Sequence, residues 1–196
     1  MTANKEMGQV AVAYFQNLLA APPHTLQEDV SRLYTSKIPS TSVPGLIQQI
    51  ISDEIKRSLF SIPDDKAPGP DGFTSYFFKK CWGIIGVAFI KAIRSFFECS
   101  TPPRCINATI IALVPKVESP AGMDDYRPIS CCNVIYKCIS KIMATRLKTV
   151  LADIVSPSQS AFVPGRQITD NILLTQELMH NYHLDRGPAR CALKLI

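Results

Sequence analysis

Residues 63–72, PDDKAPGPDG, hold three prolines and two glycines in ten positions. Proline supplies no backbone donor and its ring clashes with the preceding turn, while glycine adds backbone freedom. Neither a helix nor a central strand crosses such a stretch, so it must be a structured loop or an extended strap. It divides the chain into parts that form separate elements. Before it, Leu46, Ile47, Ile50, Ile51, Ile55, Leu59 and Ile62 mark one face of a helix or of a pair of short ones, ended by Pro63. After it, the aromatic-rich run Phe73 to Cys99, with Phe77, Phe78, Trp82, Phe89, Phe96 and Phe97, predicts two packed helices broken near Gly83 or Gly86.

Residues 1–44 read as a peripheral helix and loop. Val10, Tyr14, Phe15, Leu18 and Leu19 recur at helical spacing until Ala21, Pro22 and Pro23 stop them, and scattered prolines lead to Pro44. Beyond residue 107 the pattern changes. Ala108 to Val114, ATIIALV, is short and rich in β-branched residues, and Tyr126 to Cys131 is a second strand candidate. Pro115 to Asp125 between them holds two prolines and Gly122, so the pair predicts an antiparallel hairpin with a long loop. Helical period returns over Val134 to Ile154, with Lys137, Lys141, Arg146 and Lys148 interspersed, and again over Ile168 to Leu184, begun by Thr169 or Asp170. Cys191 to Ile196, CALKLI, reads as a buried strand. A domain rarely closes on an unpartnered apolar strand, so the chain reads as cut from something longer. The fold class that follows is α+β: mostly helical, with one β-hairpin.

The 196 residues, 46% hydrophobic and 19% charged, fit one globular domain or a domain plus part of a second, and exclude a disordered tail. The longest apolar run without charge, Trp82 to Ile90, is far short of the roughly 20 residues of a membrane span. Lys5 and Glu6 interrupt the place where a signal peptide carries its apolar run. The expected location is intracellular, nucleus or cytoplasm, without membrane contact. Seven cysteines, none in a C-x-x-C pair, predict reduced thiols rather than a disulfide framework or a zinc site. Residues 1–98 carry ten Lys or Arg against nine Asp or Glu, and residues 99–196 eleven against seven. The basic excess of the second half favours a polyanionic partner by long-range attraction.

Few clusters carry chemistry. Asp124 with Asp125, and Asp64 with Asp65, read as decoration of solvated loops. Glu177, His180 and His183 share one helical face, but no second motif joins them and no metal site is assigned. No phosphate loop and no G-x-S-x-G elbow occurs, which removes nucleotide-hydrolysing and esterase readings. Lys116 and Arg127 stand at the two ends of the hairpin loop, so strand pairing brings two cations near each other at its mouth. Such a pair suits a polyphosphate, an ammonium as point charge beside a bidentate guanidinium, and equally serves solubility at a hairpin end.

Four ordered blocks, KAPGPDG (66–72), NATIIALVPK (107–116), YRPISCCNVIYKCISKIMATRL (126–147) and SPSQSAFVPGRQITDNILLTQEL (156–178), resemble the reverse transcriptases of non-LTR (LINE-type) retrotransposons, of the kind abundant in plant genomes. The resemblance covers residues 45–196 and implies a partial reverse transcriptase domain: the fingers and the start of the palm of a right-hand polymerase. It implies that Lys116 and Arg127 contact the triphosphate of the incoming deoxynucleotide. It also implies that the block with Gln159, Phe162, Gly165 and Arg166 lines the template path. Lys66 and Asp71 belong to the strap, structural in role with template contact open to Lys66. Lys137, Lys141 and Arg146 are nucleic-acid-binding candidates on the basic helix. Cys131 stands where the family usually carries leucine. Where the family follows a strand like CALK with one apolar residue and the first metal-binding aspartate, this chain has Leu195 and Ile196. The implied partners of the full-length enzyme are RNA template, DNA primer, deoxynucleotides and Mg2+. The fragment, truncated at the first catalytic motif and lacking the rest of the palm and the thumb, is expected to bind no metal, to carry no catalytic residue and to be inactive alone. The competing expectation is a non-enzymatic relic that binds RNA or another protein.

Overall fold

A computed structural model describes residues 2–20, 36–99, 104–156 and 158–180. The chain forms two compact units, residues 1–34 with 49–144 and residues 35–48 with 145–196.

In the first unit, α1 (Thr2–Leu19) follows the expected helical spacing and buries Phe15, while Met7, Val10, Val12, Leu18 and Leu19 stay exposed. Helix α3 (Ser52–Phe60) puts Asp53 and Glu54 in its first turn and Arg57 in its last, which suits the helix dipole. It buries Ile55 and Leu59, one turn apart on a single face. Two helices follow the strap, α4 (Ser75–Lys80) and α5 (Trp82–Cys99). The break falls at Cys81, not at Gly83 or Gly86, both of which lie inside α5. Cys81 N donates to the Phe77 carbonyl at 2.9 Å to finish α4, and the Cys81 carbonyl accepts from Ile84 N and Ile85 N to start α5. Gly86 serves side-chain packing instead. A Cβ there would sit 3.0 Å from the Trp82 ring, so the missing side chain lets that ring lie against the helix.

The short helix α6 (Arg104–Asn107) leads into the hairpin, β1 (Thr109–Pro115) paired antiparallel with β2 (Tyr126–Cys132). This agrees with the strands expected from the β-branched run and from the Tyr126 block. Helix α7 (Val134–Lys148) then buries Val134, Cys138, Ile139 and Ile142, its apolar 3–4 spacing. The core of the unit is made by Ile50, Ile55, Leu59, Ile62, Phe89, Ile93, Val134, Cys138, Ile139 and Ile142, with Phe78, Trp82, Ile90, Phe96 and Phe97 packed on it. Arg94 ties the turn before α3 to α5, donating to the Ile50 carbonyl at 3.3 Å and to Ser52 Oγ at 3.0 Å.

The second unit includes α2 (Val43–Ile47), with Pro44 in its first turn, so the loop expected to reach Pro44 ends slightly earlier. The apolar stretch around residues 46–62 therefore resolves into the pair of short helices, α2 and α3. The single helix expected over 134–154 is likewise divided. Helix α7 stops at Lys148, and Thr149 and Val150 turn back, their N–H groups donating to Arg146 and Leu147 carbonyls, before α8 (Leu151–Ile154). The Thr149 hydroxyl donates to the Arg146 carbonyl at 2.7 Å, and Val150 is buried at the turn. Helix α9 (Ile168–Met179) begins after Gln167, not at Thr169 or Asp170, and ends before His180. Thr169 instead donates to the Gln167 side chain at 3.3 Å. Pro22, Pro23, His183, Leu184 and the expected strand Cys191 to Ile196 lie outside the described residues. Among the described residues no helix is long and apolar enough to cross a membrane.

Candidate nucleotide and nucleic-acid interface

The hairpin register decides what Lys116 and Arg127 can do together. Val114 pairs with Arg127 and Pro115 with Tyr126, and Lys116 N donates to the Asp125 carbonyl at 2.7 Å, which continues the ladder by one step. Side chains alternate across a strand, so Lys116, Val114 and Arg127 fall on one face, the two cations diagonal to each other. Ile110, Ala112, Ile129 and Cys131 continue that face toward α6. Both strands are largely exposed on it, with Ile110, Val114 and Ile129 near half exposure. Arg127 is exposed and its guanidinium has no hydrogen-bond partner among the described residues, whereas Lys116 Nζ donates to the Asp124 carbonyl at 2.5 Å.

The loop between them is built rather than loose. Asp125 Oδ2 accepts from Ala121 N at 2.8 Å and Gly122 N at 3.3 Å, closing a short 3-10 turn, Met123–Asp125. The adjacent aspartates thus shape the loop: Asp125 through its carboxylate, Asp124 through the carbonyl that holds Lys116. Sequence spacing did not separate these two roles, because both are bonds to backbone.

The strap is anchored by a residue that no sequence pattern singles out. Asn133, buried between β2 and α7, accepts from Asp71 N at 3.3 Å through Oδ1 and donates from Nδ2 to the Cys105 carbonyl at 2.9 Å. Gly69 packs on the same residue so closely that a Cβ would fall 2.2 Å from Asn133 Oδ1, 2.4 Å from its backbone N and 2.6 Å from Cys132 C. The glycine inside KAPGPDG is therefore a requirement of space. Gly72, at φ +75, is a requirement of conformation. Asp71 Oδ1 accepts from Phe73 N at 3.0 Å and closes the turn. Lys137 Nζ donates to the Ala67 carbonyl at 2.5 Å, so this cation clamps the strap to α7. At the strap's other end Lys79 Nζ donates to the Ile62 carbonyl at 2.5 Å and pairs with Asp64 at 2.6 Å. The structure thus brings Lys66 and Lys137 to one region, with Lys66 exposed on the strap and Lys141 exposed one turn further along α7.

In the second unit Arg146 Nη1 donates to the carbonyls of Leu46 at 3.1 Å and Gln48 at 2.7 Å, the unsatisfied end of α2. Arg166 Nη1 donates to the carbonyls of Ser156 at 2.5 Å and Gln159 at 2.7 Å, and Nη2 to that of Val155 at 3.1 Å. Gln159 Nε2 donates to the Ala161 carbonyl at 3.3 Å. Gln159 and Arg166 are thus brought together through backbone, and Arg146 and Arg166 both donate to chain carbonyls. Among the described residues no group of three His, Cys, Asp or Glu side chains is placed to hold a metal ion.

Residues 114–195 match the reverse transcriptase (RNA-dependent DNA polymerase) family. The chain is 32% identical over 173 residues, 87% of its length, to the Transposon TX1 uncharacterized 149 kDa protein of Xenopus laevis. It is 22% identical over 176 residues, 89% of its length, to the Retrovirus-related Pol polyprotein from type-2 retrotransposable element R2DM of Drosophila melanogaster. It is 30% identical over 132 residues, 65% of its length, to the corresponding polyprotein from type-1 retrotransposable element R1 of Bradysia coprophila. These matches span 13%, 15% and 12% of the relatives' own lengths.

Proposed function

Since this chain belongs to the reverse transcriptases, as a segment of the kind carried by non-LTR retrotransposons, we propose that it forms the fingers and the start of the palm of an RNA-directed DNA polymerase. Enzymes of this family copy an RNA template from nucleotides. In our reading residues 1–44 are peripheral, residues 45–196 are the partial polymerase domain, and the hairpin meets the triphosphate of the incoming deoxynucleotide. The observation that carries the reading is the register: Lys116 and Arg127 share one face of an exposed ribbon, with the guanidinium open to solvent. A guanidinium there offers a planar fork to phosphate oxygens, and the neighbouring ammonium adds a point charge.

Template contact falls to Lys66, Lys141 and Gln159, whose side chains are exposed. Lys137, Arg146 and Arg166, candidates for the same contact, also hold local shape, since each donates to backbone carbonyls. Reverse transcriptases use Mg2+ for phosphoryl transfer. The described residues gather no group of three His, Cys, Asp or Glu side chains to hold it.

The test uses the complete polymerase that carries this segment. Arg127→Ala removes a charge-assisted, bidentate contact, typically about 1.5–3 kcal/mol, and lowers nucleotide efficiency roughly ten- to a hundredfold with RNA affinity unchanged. Arg127→Lys recovers only part of the loss. A variant that bound RNA less well while keeping its nucleotide dependence would move Arg127 to the template.

A further inference from the structure

The hairpin that carries Lys116 and Arg127 is fastened at one end. Among the described residues, the hydrogen bonds of residues 109–132 stay within the hairpin and its loop. Its front face, with Ile110, Val114, Ile129 and Arg127, is exposed. Behind it, Ile111 lines an apolar groove with Val12, Phe15 and Leu19 of α1, where the two elements do not close on each other. Along the length of the strands, then, no hydrogen bond to a neighbouring element sets where the two cations stand.

The fastening is at the foot, where Thr109 pairs with Cys132 and Thr109 Oγ1 lies 3.6 Å from Cys132 Sγ. Asn133 follows directly and is 6% exposed. Its Nδ2 donates at 2.9 Å to the carbonyl of Cys105, in the helix that leads into β1, and its Oδ1 accepts from Asp71 N of the strap at 3.3 Å. One amide thus joins the entry of β1, the exit of β2 and the strap. The place calls for a side chain that donates and accepts at once, since a buried polar group is costly unless it is bonded. From the Thr109–Cys132 pair to the Val114–Arg127 pair the register runs five steps, about 17 Å at ~3.4 Å each. A tilt of about 10° at the foot therefore displaces Arg127 by ~3 Å, far more than the span of distances over which a hydrogen bond holds.

We propose that Asn133 is a positioning residue for the nucleotide: by joining both feet of the hairpin to the strap, it sets where Lys116 and Arg127 meet the triphosphate. Asn133 itself touches no nucleotide. The proposal rests on the nucleotide reading above and adds to it the residue that aims the cations.

The test has two readouts. In the 196-residue chain, amide residual dipolar couplings report the orientation of residues 109–132 relative to α7. One alignment tensor fits both in the parent, and Asn133→Ala requires a separate one for the hairpin. Arg94→Ala, which removes the bonds between α5 and the turn before α3, lowers stability yet keeps the single tensor. In the complete polymerase that carries this segment, Asn133→Ala raises the deoxynucleotide KM roughly tenfold with RNA affinity unchanged, while Arg94→Ala leaves KM as in the parent. A merely structural loss would lower the folded fraction, and so kcat, at constant KM. In the Arg127→Ala background, Asn133→Ala raises KM by no more than about threefold, because the group it aims is gone. A single tensor in Asn133→Ala, or a second one in Arg94→Ala, overturns the positioning role. So does a KM unmoved by Asn133→Ala where Arg127→Ala raises it, or an effect that is fully additive with Arg127→Ala. A KM that Arg127→Ala leaves unchanged overturns the nucleotide reading, and the positioning role falls with it.

Discussion

Gly69→Ala should damage the protein far more than its place in a solvent-facing strap suggests. The new Cβ would lie 2.2 Å from Asn133 Oδ1, 2.4 Å from Asn133 N and 2.6 Å from Cys132 C. Ordinary contacts of this kind are about 3.5 Å, so the strap must retreat by ~1 Å from the junction of β2 and α7. That retreat breaks the Asp71 N bond to Asn133, already 3.3 Å long, and the Lys137 bond to the Ala67 carbonyl. A neutral hydrogen bond is worth about 0.5–1.5 kcal/mol and one from a charged donor about 1.5–3, so the loss is about 2–4.5 kcal/mol, before any overpacking cost. Asn133→Ala, in contrast, frees Asp71 N and the Cys105 carbonyl and should cost about 1–3 kcal/mol. The decisive comparison is the double variant. Removing the Asn133 side chain relieves only the Oδ1 clash, since the other two overlaps are with backbone. Gly69→Ala should therefore still destabilise the Asn133→Ala background by more than about 1 kcal/mol. Urea unfolding followed by circular dichroism reads all four proteins. Gly69→Ala within about 0.5 kcal/mol of the parent, or a double variant as stable as Asn133→Ala, would refute the backbone argument.

Four further outcomes rest on the same structure. The Cys138 thiol, buried in the core with Sγ 3.7 Å from the Ile55 carbonyl, is pushed up to about 12 by desolvation. Its neutral form is the one the fold accepts, so stability present below pH 9 falls as pH rises toward 12, and Cys138→Ala should flatten that part of the pH–stability curve. In mass-spectrometric alkylation at pH 8, Cys99 and Cys105, both exposed, should react while Cys138 stays unmodified. Asp64→Asn should cost less than about 1 kcal/mol because Asp64 is 54% exposed. Lys79→Met should cost more, since it also orphans the Ile62 carbonyl; equal thermal shifts for the two would contradict this. Arg146→Ala should destabilise by about 1.5–3 kcal/mol in urea titration by leaving the Leu46 and Gln48 carbonyls without this donor, and Arg146→Lys should recover part of it.

What the sequence determined by itself was the set of elements and their order. Period and punctuation are local properties: Ile55 and Leu59 one turn apart, the β-branched run before Pro115, the strap that no helix can cross. The same locality made the family legible, because its blocks are strings of adjacent residues. Where elements stop was decided by tertiary structure. The α4–α5 break sits at Cys81 while Gly83 and Gly86 continue the helix, since Gly86 is set aside for the Trp82 ring. Helix α7 ends at Lys148 because Thr149 and Val150 turn back onto Arg146 and Leu147, Val150 then being buried. The partners of the basic residues were decided there too. Charge and spacing cannot tell a cation that only faces solvent from one that donates to chain carbonyls, and Lys137, Arg146 and Arg166 are of the second kind. Asn133 was invisible for the same reason: its partners, Asp71 and Cys105, are 62 and 28 residues away in sequence, and only folding brings a strap, a helix end and a strand end to one amide.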